Sequence, residues 1–206
     1  MSEHKYGCYE EFICQAAMEW YFPNTHFIKR ESPDFYSDDK KIGMEVTIAQ
    51  VGKVYTNSHL YSKYRQGAYG TSEKIVKELQ QGGEFLPFGY AHNPTDGNPA
   101  SSIIEGLEKK LSKLKNWYSE FEECWLVFFI EMPIKNCYIE QIFDCVVEKS
   151  KNHDYVFNKI FIVSMRFLMQ INIKEKPQYW VREIPRKLLN DFYNKAADNC
   201  NKNCNL

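Results

Sequence analysis

The chain has no long apolar run, almost no net charge and no regular cysteine framework. Its longest uninterrupted apolar stretch, Trp125 to Ile130, is far too short to span a bilayer, so no membrane partner is expected. The formal net charge is -1, which removes any argument for nucleic acid from overall charge. Contact with a phosphate backbone would have to come from a local patch. The seven cysteines are odd in number and irregularly spaced, and the first residues are charged without an apolar segment. Free thiols in a reducing cytoplasm are therefore expected. Cys200 and Cys204 lack two further ligands at zinc spacing, and His4, His26, His59, His92 and His153 show no metal-site spacing. A Walker-type phosphate loop and a Gly-x-Ser-x-Gly elbow are also missing.

What is present is enough apolar material for a sizeable core: 44% hydrophobic and 16% aromatic residues across 206 positions. Phe12, Ile13, Ala16, Ala17 and Trp20 share a helical face, which predicts a helix over Tyr9 to Tyr21, stopped by Pro23 and Asn24. An extended stretch from His26 to Tyr36 is followed by a turn at Ser37 to Lys40. Ile42, Met44, Val46 and Ile48 then alternate with Gly43, Glu45, Thr47 and Ala49, the period of a strand, so the two segments predict a hairpin. A Tyr- and Gly-rich insertion covers about 50 to 100, with a helix expected near Ser72 to Gln80.

Ile103, Ile104, Leu107, Leu111 and Leu114 mark a second amphipathic helix over Ser101 to Tyr118. Beyond it come a buried strand at Trp125 to Glu131, a helix at Ile139 to Ser150, a strand at Lys159 to Ser164 and extended segments within Phe167 to Glu183. A last helix starts at Pro185 and ends near Ala197, with an Asn-rich tail over 199–206 expected to be disordered. This order predicts a single α/β domain over 1–198, an α-β-α sandwich around a mixed sheet.

Two carboxylates stand out. Asp34 follows Pro33 at the end of the extended stretch, and Glu45 lies on the next strand, so a hairpin brings them together. Glu45 and Thr47, two apart, share a strand face. Adjacent carboxylates repel unless a cation offsets them, and magnesium prefers such oxygen ligands. A solvated turn aspartate beside an exposed strand glutamate would produce the same pattern.

At these residues the chain resembles the PD-(D/E)xK nuclease superfamily, and a subset of its bacterial members in particular. The match runs through Pro33-Asp34, Gly43-Met44-Glu45-Val46-Thr47, Ile104, Leu107, Lys110, Lys113 and Leu114 on the later helix, then Tyr118 and Trp125-Leu126. It extends from about Tyr9 to Arg182. The resemblance implies a restriction-endonuclease-like fold and metal-dependent cleavage of phosphodiesters, with magnesium or manganese held by Asp34 and Glu45. DNA is favoured over RNA, a homodimer is possible, and a role in bacterial defence or repair fits. The family's lysine is replaced by Thr47, which offers a hydroxyl without a charge. Some members supply the lysine from a neighbouring helix, which points to Lys110, at the edge of its helix's apolar stripe, ahead of Lys113. Lys109 points away. A metal-binding glutamate from the first helix is implied too, and Glu10, which flanks the apolar face, is favoured over Glu11, which points away from it. Lys53, Lys63 and Arg65, interleaved with Tyr55, Tyr61 and Tyr64, form the candidate nucleic-acid surface, with Lys113 as an addition.

Overall fold

The structure, a computed structural model, describes residues 8–49, 77, 83–86, 89–92, 99–130, 134–174 and 176–203. Its centre is a seven-stranded mixed sheet in the order β1 (Phe27–Lys29), β2 (Phe35–Ser37), β3 (Ile42–Ile48), β6 (Glu123–Ile130), β7 (Lys159–Ser164), β8 (Phe167–Asn172), β9 (Gln178–Glu183). Strands β3, β6 and β7 run parallel in the middle, and antiparallel pairs close both sides. A separate hairpin of β4 (Gly83–Leu86) and β5 (Gly89–His92) falls within the expected insertion. Of the helix expected at Ser72 to Gln80 only Lys77 is described, helical and exposed.

Helices cover both faces. One is covered by α1 (Cys8–Tyr21) and α4 (Arg186–Asn203), whose Phe12, Ile13, Ala17, Met18, Leu189, Phe192 and Ala196 bury against Met44, Val46, Trp125, Val127 and Phe161. The other is covered by α2 (Pro99–Leu114) and α3 (Cys137–Ser150), where Ile103, Leu107, Leu111, Leu114, Ile142 and Val146 meet Leu126, Phe128, Ile160 and Ile162. The result is a three-layer α/β sandwich. Strands β6 and β7 are buried on both faces and read as near-continuous apolar runs, as parallel strands covered on both sides do.

Several boundaries differ from the sequence reading, three of them around the site and the tail. The extended stretch at 26–36 is two short strands separated by the loop 30–34, which is closed by the Arg30 amide donating to the Asp34 carbonyl at 2.8 Å. The second helix begins two residues early, at Pro99, and yields to a 3-10 turn at Tyr118–Glu120. The last helix does not stop near Ala197: it continues to Asn203, because Cys200 extends the stripe of Leu189, Phe192 and Ala196 at helical spacing and is itself buried. The expected disordered tail is therefore helical over 199–203. Cys14, Cys124, Cys137, Cys145 and Cys200 form no disulfide, and no described helix is long and apolar enough to cross a membrane.

Candidate functional site

The alternation along β3 decides which side chains meet. Met44 and Val46 enter the α1–α4 layer, and Gly43, Glu45 and Thr47 face α2. Two glycines let the covering segments come close. A Cβ on Gly43 would lie 2.6 Å from the Phe121 ring and 2.8 Å from that of Trp117. On α2, a Cβ on Gly106 would lie 2.8 Å from the Phe128 ring and 3.7 Å from the Thr47 methyl. Lys110 is one helical turn beyond Gly106, so the same close approach delivers its ammonium to the sheet.

That ammonium sits 2.6 Å from Glu45 Oε1. Both side chains are largely covered, with 21% of Lys110 and 14% of Glu45 exposed. Burial and the charge of Asp34 raise the Glu45 pKa, and Lys110 together with the Asp34 backbone amide offsets the rise only in part. Asp34 and Glu45 thus lie within electrostatic reach of each other, as the hairpin argument required.

Asp34 is fixed by the backbone. Just ahead of β2, its carboxylate accepts a 2.7 Å hydrogen bond from the Val46 amide of the neighbouring strand. Its other oxygen lies 3.8 Å from Lys29, which is 2.7 Å from Glu11 and stands over the Phe35 ring.

The first helix therefore contributes Glu11 to this neighbourhood rather than the favoured Glu10. Glu10 lies close enough to Cys14 to raise its pKa, as do Glu11 and Asp34, after burial as the main cause. It makes no ion pair among the described residues. The physical reason is the packing of α1, which is buried on two sides, by the sheet and by α4. Its remaining polar stripe, Glu11, Gln15 and Glu19, lies along the edge strand β1. Gln15 donates to the Phe27 carbonyl at 2.6 Å, Glu19 accepts from the Phe27 amide at 3.1 Å, and Glu11 takes Lys29. The helix thus supplies partners that a further strand would otherwise supply.

The members in order are Glu11, Lys29, Asp34, Glu45 and Lys110, with charges minus, plus, minus, minus, plus. The two adjacent negatives are where a cation is wanted, and hard oxygen donors of this kind suit magnesium or manganese. Among the described residues no group of three or more His, Cys, Asp or Glu side chains converges, so the expected set of Glu10, Asp34 and Glu45 is not assembled. A pair of carboxylates remains, which suffices for an ion that keeps most of its waters.

Thr47 lines the same face, half-buried beneath α2. Lys109 points outward and pairs with Glu105, and Lys113 is exposed on the next turn. Lys53, Lys63 and Arg65 lie outside the described residues. Sequence patterns do not single out Lys29 or Gly106, and they rank Glu11 behind Glu10. Of the two unmarked residues only Lys29 carries a signal, as a basic residue on the strand preceding Pro33-Asp34. No family model, curated protein or solved structure matches the chain.

Proposed function

We propose that this protein is a metal-dependent nuclease, hydrolysing phosphodiester bonds in DNA or RNA on a restriction-endonuclease-like version of the α/β sandwich. The observation carrying the reading is the meeting of Glu45 and Lys110 at 2.6 Å beside Asp34. Two acids and a lysine from separate elements are the minimum such a site needs, and Lys110 supplies from the helix the charge that Thr47 lacks on the strand. Asp34 and Glu45 would hold magnesium or manganese. When bound, such a cation lowers the pKa of water and offsets charge on the phosphate. Lys110, already ion-paired to Glu45, presents its remaining N–H donors to a phosphate oxygen or to the attacking water. Thr47 would line the site beneath α2.

Plasmid, single-stranded DNA and RNA incubated with magnesium or manganese test this. Cleavage that disappears in Asp34→Ala, Glu45→Ala and Lys110→Ala is the expected result. Intact substrates under every condition would sink it.

A second reading is a non-catalytic member that binds nucleic acid or a protein partner. It is favoured by Thr47 standing where the family carries lysine, and by both acids already being engaged, Glu45 by Lys110 and Asp34 by Val46 and Lys29. Retained binding of nucleic acid without cleavage would select it.

A further inference from the structure

We infer that Lys29 is a built-in cation that competes with a metal ion for Asp34, and that Glu11 holds it back. The inference rests on the metal-site reading above.

The geometry defines the competition. Asp34 offers two oxygens. One is committed to the Val46 amide at 2.7 Å, and the other faces the Lys29 ammonium at 3.8 Å. The same ammonium is 2.7 Å from Glu11. Lys29 therefore leans on Glu11 and reaches Asp34 only at the limit of an ion pair. Its stem is fixed on β1, with the ammonium 4.8 Å from the centre of the Phe35 ring, so it cannot withdraw far. With 33% of its side chain exposed, it keeps enough water to shift between the two carboxylates.

A positive charge at that position repels any cation arriving at Asp34. Glu11 neutralises part of the charge and draws it toward α1. Glu11 acts here through Lys29, as a positioning residue and not as a metal ligand. The two residues then carry opposite signs. Removing the lysine charge tightens cation binding. Removing the glutamate charge leaves Lys29 free to settle on Asp34 and weakens it. Residues serving only the fold would not move affinity in opposite directions.

The experiment is calorimetric titration of Mn2+ into the full chain at low ionic strength, for wild type, Lys29→Met, Glu11→Gln and the double variant. Circular dichroism and the urea midpoint verify that each is folded. Lys29→Met is expected to bind Mn2+ about tenfold more tightly, the scale of one unit charge at such a distance, and Glu11→Gln several-fold more weakly, on the order of threefold. In the Lys29→Met background, Glu11→Gln should add nothing. Lys29→Gln repeats the neutral substitution with a polar side chain, and Lys29→Arg, which keeps the charge, should stay near wild type. The tightening should shrink as salt is added. Wild-type binding with no tightening in either neutral variant overturns the inference alone. So does a Glu11→Gln loss that persists without Lys29, which would make Glu11 a ligand. No Mn2+ binding in any of the proteins removes the metal-site reading and this inference with it.

Discussion

Glu45 and Glu123 each carry a lysine at 2.6 Å, Lys110 for the first and Lys159 for the second, yet their acidities move in opposite directions. Glu45 is raised by burial and by Asp34. Burial also works against Glu123, but hydrogen bonds from Lys159 and from the Trp125 indole, with the charge of Lys159, prevail and hold it below the ordinary value. Glu123 is also more open, at 37% side-chain exposure against 14%. The lesson concerns sufficiency. One lysine and one indole satisfy a half-exposed carboxylate at the end of a strand. One lysine does not satisfy a buried carboxylate with a second carboxylate beside it. Glu123 has the partners of a structural residue, whereas Glu45 keeps a raised pKa despite its lysine, which marks it as a candidate for a functional site.

The sharpest way to break this contrast is to remove each lysine. Lys110→Met leaves the covered Glu45 without its lysine and still under the charge of Asp34, and urea unfolding should show a loss of about 2–3 kcal/mol, reduced from the fully buried case because the pair is partly wet. A smaller loss comes next. Gly106→Ala places a methyl 2.8 Å from the Phe128 ring, so α2 must shift. Thermal or urea unfolding should register about 1–2 kcal/mol of overpacking. Cleavage, if the chain is a nuclease, should suffer more than stability suggests, since Lys110 moves with the helix. Lys159→Met, by contrast, should cost about 1 kcal/mol, because Glu123 is more open than Glu45 and keeps the Trp125 indole as a donor. Equal losses at Lys110 and Lys159 would erase the distinction.

The mildest effect is in the pH dependence, and there the two acids should differ in sign. The raised pKa of Glu45 means that the folded state keeps its proton while the unfolded state loses it. Its contribution therefore lowers stability as pH rises from the ordinary glutamate range through the raised value. The lowered pKa of Glu123 gives stability that is present above the ordinary range and is lost as pH falls through the lowered value. Urea titrations at several pH values on Glu45→Gln and Glu123→Gln should remove slopes of opposite sign. A shared sign would contradict the assignment of partners.

Much of the site is legible in the amino-acid sequence. The alternation from Ile42 to Ile48 puts Glu45 and Thr47 on one face, the turn at Ser37 to Lys40 places Asp34 nearby, and the stripe of α2 puts Lys110 at its edge. All three are local patterns whose periods survive into the fold. A helical wheel misplaces Glu11 because it assumes one buried side, and α1 has two. The end of α4 is hidden because a run of Asn and Lys looks soluble, while Cys200 continues the apolar stripe. Lys29 carries only the weak signal of a basic residue ahead of Pro33-Asp34: its partner Glu11 is reached only after α1 lies along β1.

The sequence alone determined the types of most described elements, the face that Glu45 occupies and the helix from which a replacement lysine could come, because strand and helix periods are written in neighbouring residues. Only the tertiary structure decided that Lys110 reaches Glu45, that Asp34 is held by the Val46 amide, and that Glu11 rather than Glu10 joins the charge network. Those contacts join residues far apart in the chain, or on faces whose burial depends on what packs against them. Their energies come from charges brought together and partly stripped of water, a condition that no local pattern encodes.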